Sequence, residues 1–312
     1  MLSRLLRSRP LELVAPAIGA VIAALHRLSG RRAGLIVLFH LVSDRQGDDT
    51  RELVAPIDRA LYERQLRHLC RHCDVVRLEE LPAAVRARRR GQRHPVSVTF
   101  DDDAAEHTAH ALPALREQGV SGTFFLNGSW TDLERDDPWW HDLQRASDCG
   151  LAPSGAALFR SAYEIARLAP AQRDAEATRL RAVAGPSQGE AMSASQVSEL
   201  VRGGQTLGFH TRRHYSLPGL GNEQLEAELT ERRADIEELA GAPLTQFSYP
   251  HGDFDDRVVD AVRRHGFTIG VTCRRTAVTR GTDPMLLGRV EIKGASLGEF
   301  VVQVARGLLT RG

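Results

Sequence analysis

The run Val96-Ser97-Val98-Thr99-Phe100, followed directly by Asp101-Asp102-Asp103, constrains this chain most. A β-branched apolar stretch that stops at adjacent carboxylates predicts a buried strand delivering acids to its carboxyl end, where α/β folds build their sites. Neighbouring carboxylates repel one another, and holding them together requires a cation or a shared proton. The run therefore points to a metal site. Without other signals, the same acids read as caps of a following helix, because 104–118 has helical character and acidic residues suit a helix start.

Further ligands come much later. Residues 206–209 read as a short strand that runs into His210-Thr211-Arg212-Arg213-His214. Two imidazoles four residues apart fall on one side of a helical turn and can reach one ion. The chain holds 12 histidines and a second pair with this spacing, His68 and His72, so spacing alone selects neither. Context separates them: His210 ends a strand and opens a loop, whereas His68 and His72 lie inside an amphipathic helix.

Strands and helices alternate as a parallel α/β fold requires. Strands are expected at 35–39, 74–76, 96–100, 122–126, 206–209, 245–248 and 268–271. Helices are expected at 61–73, 81–90, 223–240 and 255–265, the last ending at Gly266. Between 129 and 191 the pattern breaks into a helical insertion carrying Trp130, Trp139 and Trp140. It follows the strand 122–126 and so emerges on the face of the carboxylates. These tryptophans either stack on a ligand or anchor the insertion's own core. Gly185-Pro186-Ser187-Gln188-Gly189 matches the serine-hydrolase elbow in letters only, because helix-like sequence precedes it where a strand is needed.

With 312 residues the chain suits one large domain, and a net charge of +1 provides no long-range pull toward nucleic acid. The arginine runs at 31–32 and 88–90 read as solvated helix ends. Cys70, Cys73, Cys149 and Cys273 form no secreted disulfide framework. Cys70 and Cys73 share one helix with His68 and His72 and cannot surround an ion, and free thiols point to a reducing compartment. Residues 1–34 form a separate basic and apolar helical segment, in which Arg4, Arg7 and Arg9 precede an apolar stretch at 11–25. Glu12 and Pro16 interrupt that stretch, which is too short to span a bilayer. A helix lying on a membrane through residues 1–30, or packed beneath the domain, is the leading expectation. Cytoplasmic and peripheral-membrane locations are favoured over a secreted or envelope one.

Thr99-Phe100-Asp101-Asp102, Gly122-Thr123-Phe124-Phe125, His210-Thr211-Arg212-Arg213-His214 and Phe247-Ser248-Tyr249-Pro250-His251-Gly252, in this order, resemble the signature of the polysaccharide deacetylases, carbohydrate esterase family four. The likeness runs from about 35 to 293 within a catalytic domain of 35–312. It implies a distorted (β/α) barrel of about seven parallel strands that removes N-acetyl, less often O-acetyl, groups from carbohydrates with one divalent metal. The resemblance assigns Asp101 as catalytic base and Asp102, His210 and His214 as metal ligands. Zinc suits that donor set best, and cobalt, nickel or manganese are accepted by such sites. Tyr249, Pro250 and His251 are the expected substrate and oxyanion segment.

Three departures stand out. No histidine follows His265, so the general acid familiar near the C-terminus of many members is missing. Val37-Leu38-Phe39-His40-Leu41-Val42 resembles the N-terminal segment of the exopolysaccharide deacetylase branch and nominates His40 instead. Asp103 replaces a glycine common in the family, and Ser248 stands where many members place the arginine that holds the base, a role Arg289 could take. The alternatives to an enzyme are a catalytically idle sugar-binding barrel and a membrane-associated partner in envelope assembly.

Overall fold

The structure is a computed structural model that describes residues 19, 21–25, 27–128, 138–185, 191–293 and 296–310. Trp130, the Pro186-to-Gly189 part of the Gly-x-Ser-x-Gly match and residues 1–18 of the N-terminal segment lie outside the described residues.

A curled, mostly parallel sheet forms the centre. Its strands are β1 (Ala33–Phe39), β4 (Asp74–Val75), β5 (Pro95–Phe100), β6 (Gly122–Leu126), β7 (Thr206–Phe209), β8 (Gln246–Ser248), β9 (Ile269–Val271), β10 (Val278–Thr279) and β11 (Val290–Glu291). The neighbours run β10-β1-β5-β6-β7-β8-β9, with β11 also paired to β1 and β4 to β5; only β10 is antiparallel. A two-residue pair of β2 (Val42–Ser43) and β3 (Ile57–Asp58) stands apart. Residues 287–292 strap the edges together: Leu287 bonds to Gly270 and Thr272 beside β9, and Ile292 donates to Leu38 of β1. The result is the expected (β/α) barrel, in which eight of the nine strands run parallel.

Helices α1 (Arg59–His72), α2 (Leu81–Ala87) and α3 (Leu112–Gln118) lie in the first half, and α4 (Trp139–Asp148), α5 (Ala156–Ile165) and α6 (Pro170–Ala184) form the insertion. Then come α7 (Ala194–Arg202), α8 (Asn222–Thr230), α9 (Arg233–Ala240), α10 (Asp256–Arg264) and α11 (Leu297–Leu309). Side chains alternate strictly along each strand. Val37, Phe39, Val96, Val98, Phe100, Phe124, Leu126, Leu207, Phe209 and Phe247 face the helices in one continuous core. The opposite phase points inward, and the residue that extends it past the strand end is His40, Asp101 or His210, while in β8 it is the last residue, Ser248. Period two thus explains why residues far apart in sequence converge.

Three local expectations are corrected. The single helix 223–240 is two helices broken at Arg232 (φ 65°), which packs so closely on Gly128 that a Cβ built there would stand only 2.7 Å from that of Arg232. The stretch 104–118 is not one helix: Ala104 bridges to Ala191, His107–Ala111 forms a widened π turn, and only then does α3 begin. Cys73 lies outside α1 as its extended C-cap, and all four cysteines are free thiols.

Candidate active site

The C-terminal strand ends open into a cavity of about 740 Å³, lined among others by His40, Asp101, Asp102, Trp140, His210, His214, Tyr249, His251 and Glu291. Asp101 is buried at the end of β5, where Arg289 grips both carboxylate oxygens at 2.8 and 2.7 Å and Ser248 Oγ donates at 3.2 Å. Arg289 also donates to Ser248 Oγ at 2.9 Å. The serine therefore completes the grip rather than replacing the arginine. Burial alone would raise the Asp101 carboxyl, but Arg289 and then His210 outweigh it and hold the group well below the usual carboxylate range.

Asp102 follows with φ 71°, a backbone turn that swings its carboxylate toward the histidines. Its Oδ1 lies 3.6 Å from Nε2 of both His210 and His214, and those nitrogens are 3.1 Å apart. Two nitrogens on one tetrahedral zinc would stand about 3.3 Å apart. His210 Nδ1 faces the Ser248 carbonyl at 2.8 Å; the carbonyl can only accept, so the proton sits on Nδ1 and Nε2 presents its lone pair. Asp102 Oδ1 has no hydrogen-bond donor among the described residues. Burial, then His251 and His210, push His214 well below its ordinary value and keep it neutral, the form that binds a cation. Among the described residues, Asp102, His210 and His214 are the one group of three that could hold a metal, and their donors fit zinc.

The histidines do not meet on a helical turn. Residues 210–214 form a loop with Thr211 (φ 67°) and His214 (φ 57°) in the left-handed region. His214 N–H donates to Thr211 Oγ1 at 3.0 Å, while Arg173 of α6 donates to the carbonyls of Arg213 and His214 at 2.7 and 3.1 Å. The insertion thereby clamps the loop, and Trp140 sets its ring 4.9 Å from that of His214. Trp139 and Trp140 also belong to the insertion's own cluster with Leu143, Leu158 and Leu180, so they anchor it and line the cavity at once.

His40 lies at the mouth, with Nε2 4.0 Å from Asp102 Oδ2 and Nδ1 3.4 Å from Glu291, which in turn pairs with Lys293 at 2.9 Å. Its carbonyl accepts from the buried His107 at 2.9 Å. Sequence reading missed Glu291, His107 and Arg173; the only local signal was Glu291 standing two residues after Arg289. Asp103 turns away from the cluster, its carboxylate accepting the Asn127 N–H at 2.9 Å. Tyr249 N–H is committed to the Val271 carbonyl at 3.1 Å and Pro250 has none, leaving that of His251 (φ 59°) as the segment's first candidate donor.

Fold and site together define a curled parallel barrel with a candidate metal-binding active site at its mouth. A family model for polysaccharide deacetylase matches residues 88–270, more than half of the chain. The chain belongs to the polysaccharide deacetylase family. The match spans Asp101, Asp102, His210 and His214, while His40, Arg289 and Glu291 lie beyond it. A curated Bacillus subtilis protein, YxkH, assigned to the polysaccharide deacetylases, is 25% identical over 114 residues, covering 35% of this chain and 41% of that protein. The Streptococcus pyogenes deacetylase PplD, solved with acetate, superposes with a TM-score of 0.63 at 15% identity over 88% of this chain and 98% of its own. IcaB from Ammonifex degensii gives 0.59 at 22% identity over 88% and 97%. These structures share the fold.

Proposed function

We propose that this protein removes N-acetyl groups from a carbohydrate by metal-assisted hydrolysis. The observation that carries the reading is the convergence, in one cavity, of an arginine-held carboxylate, Asp101, with the Asp102, His210 and His214 donor set. A divalent ion held there, zinc by its donor preference, supplies Lewis acidity and makes water easier to deprotonate. Asp101 is the proton acceptor: Arg289 keeps it ionised and fixes it, and His210 Nε2 lies 3.7 Å from its Oδ2. The His251 N–H stabilises the developing oxyanion. His40 gives its proton to the departing amine, with Glu291 steadying the opposite ring nitrogen. The Asp103 carboxylate, tied to Asn127, leaves the donor set unobstructed, which favours an active enzyme over an idle barrel.

The test is acetate release from a panel of N-acetylated oligosaccharides by zinc-loaded protein. Release that a chelator abolishes and zinc restores is the expected result; metal binding with no acetate from any member would reject the reading.

A further inference from the structure

We propose that the base of the barrel, opposite the catalytic mouth, docks on an anionic membrane surface through an apolar stripe of Val21, Leu25 and Leu28 flanked by arginines. Residues 21–25 and 27–28 are helical. One face of this helix is already used: Ile22 packs on the main core, and a Cβ on Gly19 would collide with His68 of α1 and touch Val301 of α11. A helix resting on a soluble domain should then turn polar side chains outward. This one does the reverse. Val21, Leu25 and Leu28 are 61, 62 and 59% exposed, spaced i, i+4 and i+7, and Ala24 between them is exposed as well. Leu309, 58% exposed, joins the patch, because Arg31 donates to its carbonyl at 2.8 Å.

Charge selects the occupant. Arg88 fastens the 88–92 loop to the end of this helix by donating to the carbonyls of Arg27, Ser29 and Arg31, and Gly91 N–H donates to Arg27. The fastening holds the loop that carries the exposed Arg89 and Arg90 against the segment that leads to the exposed Arg32. None of these three has a carboxylate partner among the described residues, and neither 19–32 nor 81–94 contains an acid. Elsewhere many arginines are paired, as Arg179 with Glu176 and Arg233 with Glu237. In a chain of net charge +1, such segregation is a local field, attractive to anionic lipid. It repels a second copy of itself, and four apolar side chains fall well short of the roughly 800 Å² per partner of a stable dimer. An apolar stripe with a basic margin is the composition of an interfacial helix.

The experiment is flotation of the full chain with vesicles of phosphatidylcholine alone or mixed with phosphatidylglycerol, at low and high salt. It needs no turnover, so its outcome is independent of the proposed deacetylation. Strong, salt-sensitive flotation is expected only with phosphatidylglycerol. Combined Arg32→Glu, Arg89→Glu and Arg90→Glu should weaken it about 100-fold, and Leu25→Glu with Leu28→Glu at least tenfold, all with unchanged Tm because the side chains are exposed. Failure to float, equal flotation on both vesicles, or folded leucine variants that float like the parent would overturn the proposal. So would a lipid-free dimer, seen by sedimentation equilibrium, that Leu25→Glu dissolves.

Discussion

Asp101 must be both buried and charged, and the bidentate Arg289 grip is what reconciles the two. Asp101→Asn keeps the shape but removes the proposed proton acceptor, so the variant should retain full zinc by elemental analysis while losing about two to four orders of magnitude in acetate release. His40 is tested by leaving group: His40→Ala should depress amide cleavage but spare an activated ester, which needs little protonation, and equal losses would reject the donor role. His107 makes a pH prediction. Burial lowers its pKa to about 4, so protonation favours the unfolded chain, where the value is near 6.5. Its contribution is therefore complete above about pH 6.5 and is lost as pH falls toward 4, by up to about 3 kcal/mol. Denaturant titrations across that range should show the loss, and a folded His107→Gln variant should show a flatter dependence.

At the scale of elements, the loop 210–214 holds two left-handed residues in place with help from the insertion. Arg173→Met keeps the bulk of α6 but leaves the Arg213 and His214 carbonyls without their donor. It should cost about 1–3 kcal/mol of stability and weaken zinc binding in a chelator competition. Unchanged zinc affinity would separate the insertion from the metal centre. What the sequence made legible follows the same line. Gly122–Leu126 and Thr206–Phe209 were readable to the residue, because β-branched or aromatic runs between turn signals are local features. The helix break at Arg232 was not, since the packing at that point involves Gly128, a hundred residues away in the chain. The strand-end acids and histidines were visible as abrupt changes of polarity. Arg173, His107 and Glu291 were silent, because each acts through a contact that only the folded chain creates.

For the whole molecule, zinc joining Asp102, His210 and His214 would tie β5 to the loop after β7 and favour the folded state. Zinc at a thousandfold excess over its Kd should add about 4 kcal/mol and raise Tm by several degrees, reversibly with chelator. His214→Ala should abolish that shift. The mouth and the arginine-rich base lie at opposite ends of strands such as the seven-residue β1, about 20 Å apart. The closing strap of residues 287–292 carries a consequence of another kind. Val290 faces outward, where its Cγ2 would lie 2.9 Å from a Cβ on Gly307 of α11, while on the opposite side Arg289 reaches the Asp101 carboxylate and Glu291 lines the cavity. The two groups that steady the proposed proton acceptor and proton donor are thus cut from one ruler, a single two-residue repeat of about 7 Å. A one-residue slip of the strap would turn both outward together and bring Val290 in. The two halves of the proposed proton relay share a single latch, so such a slip would disengage both at once.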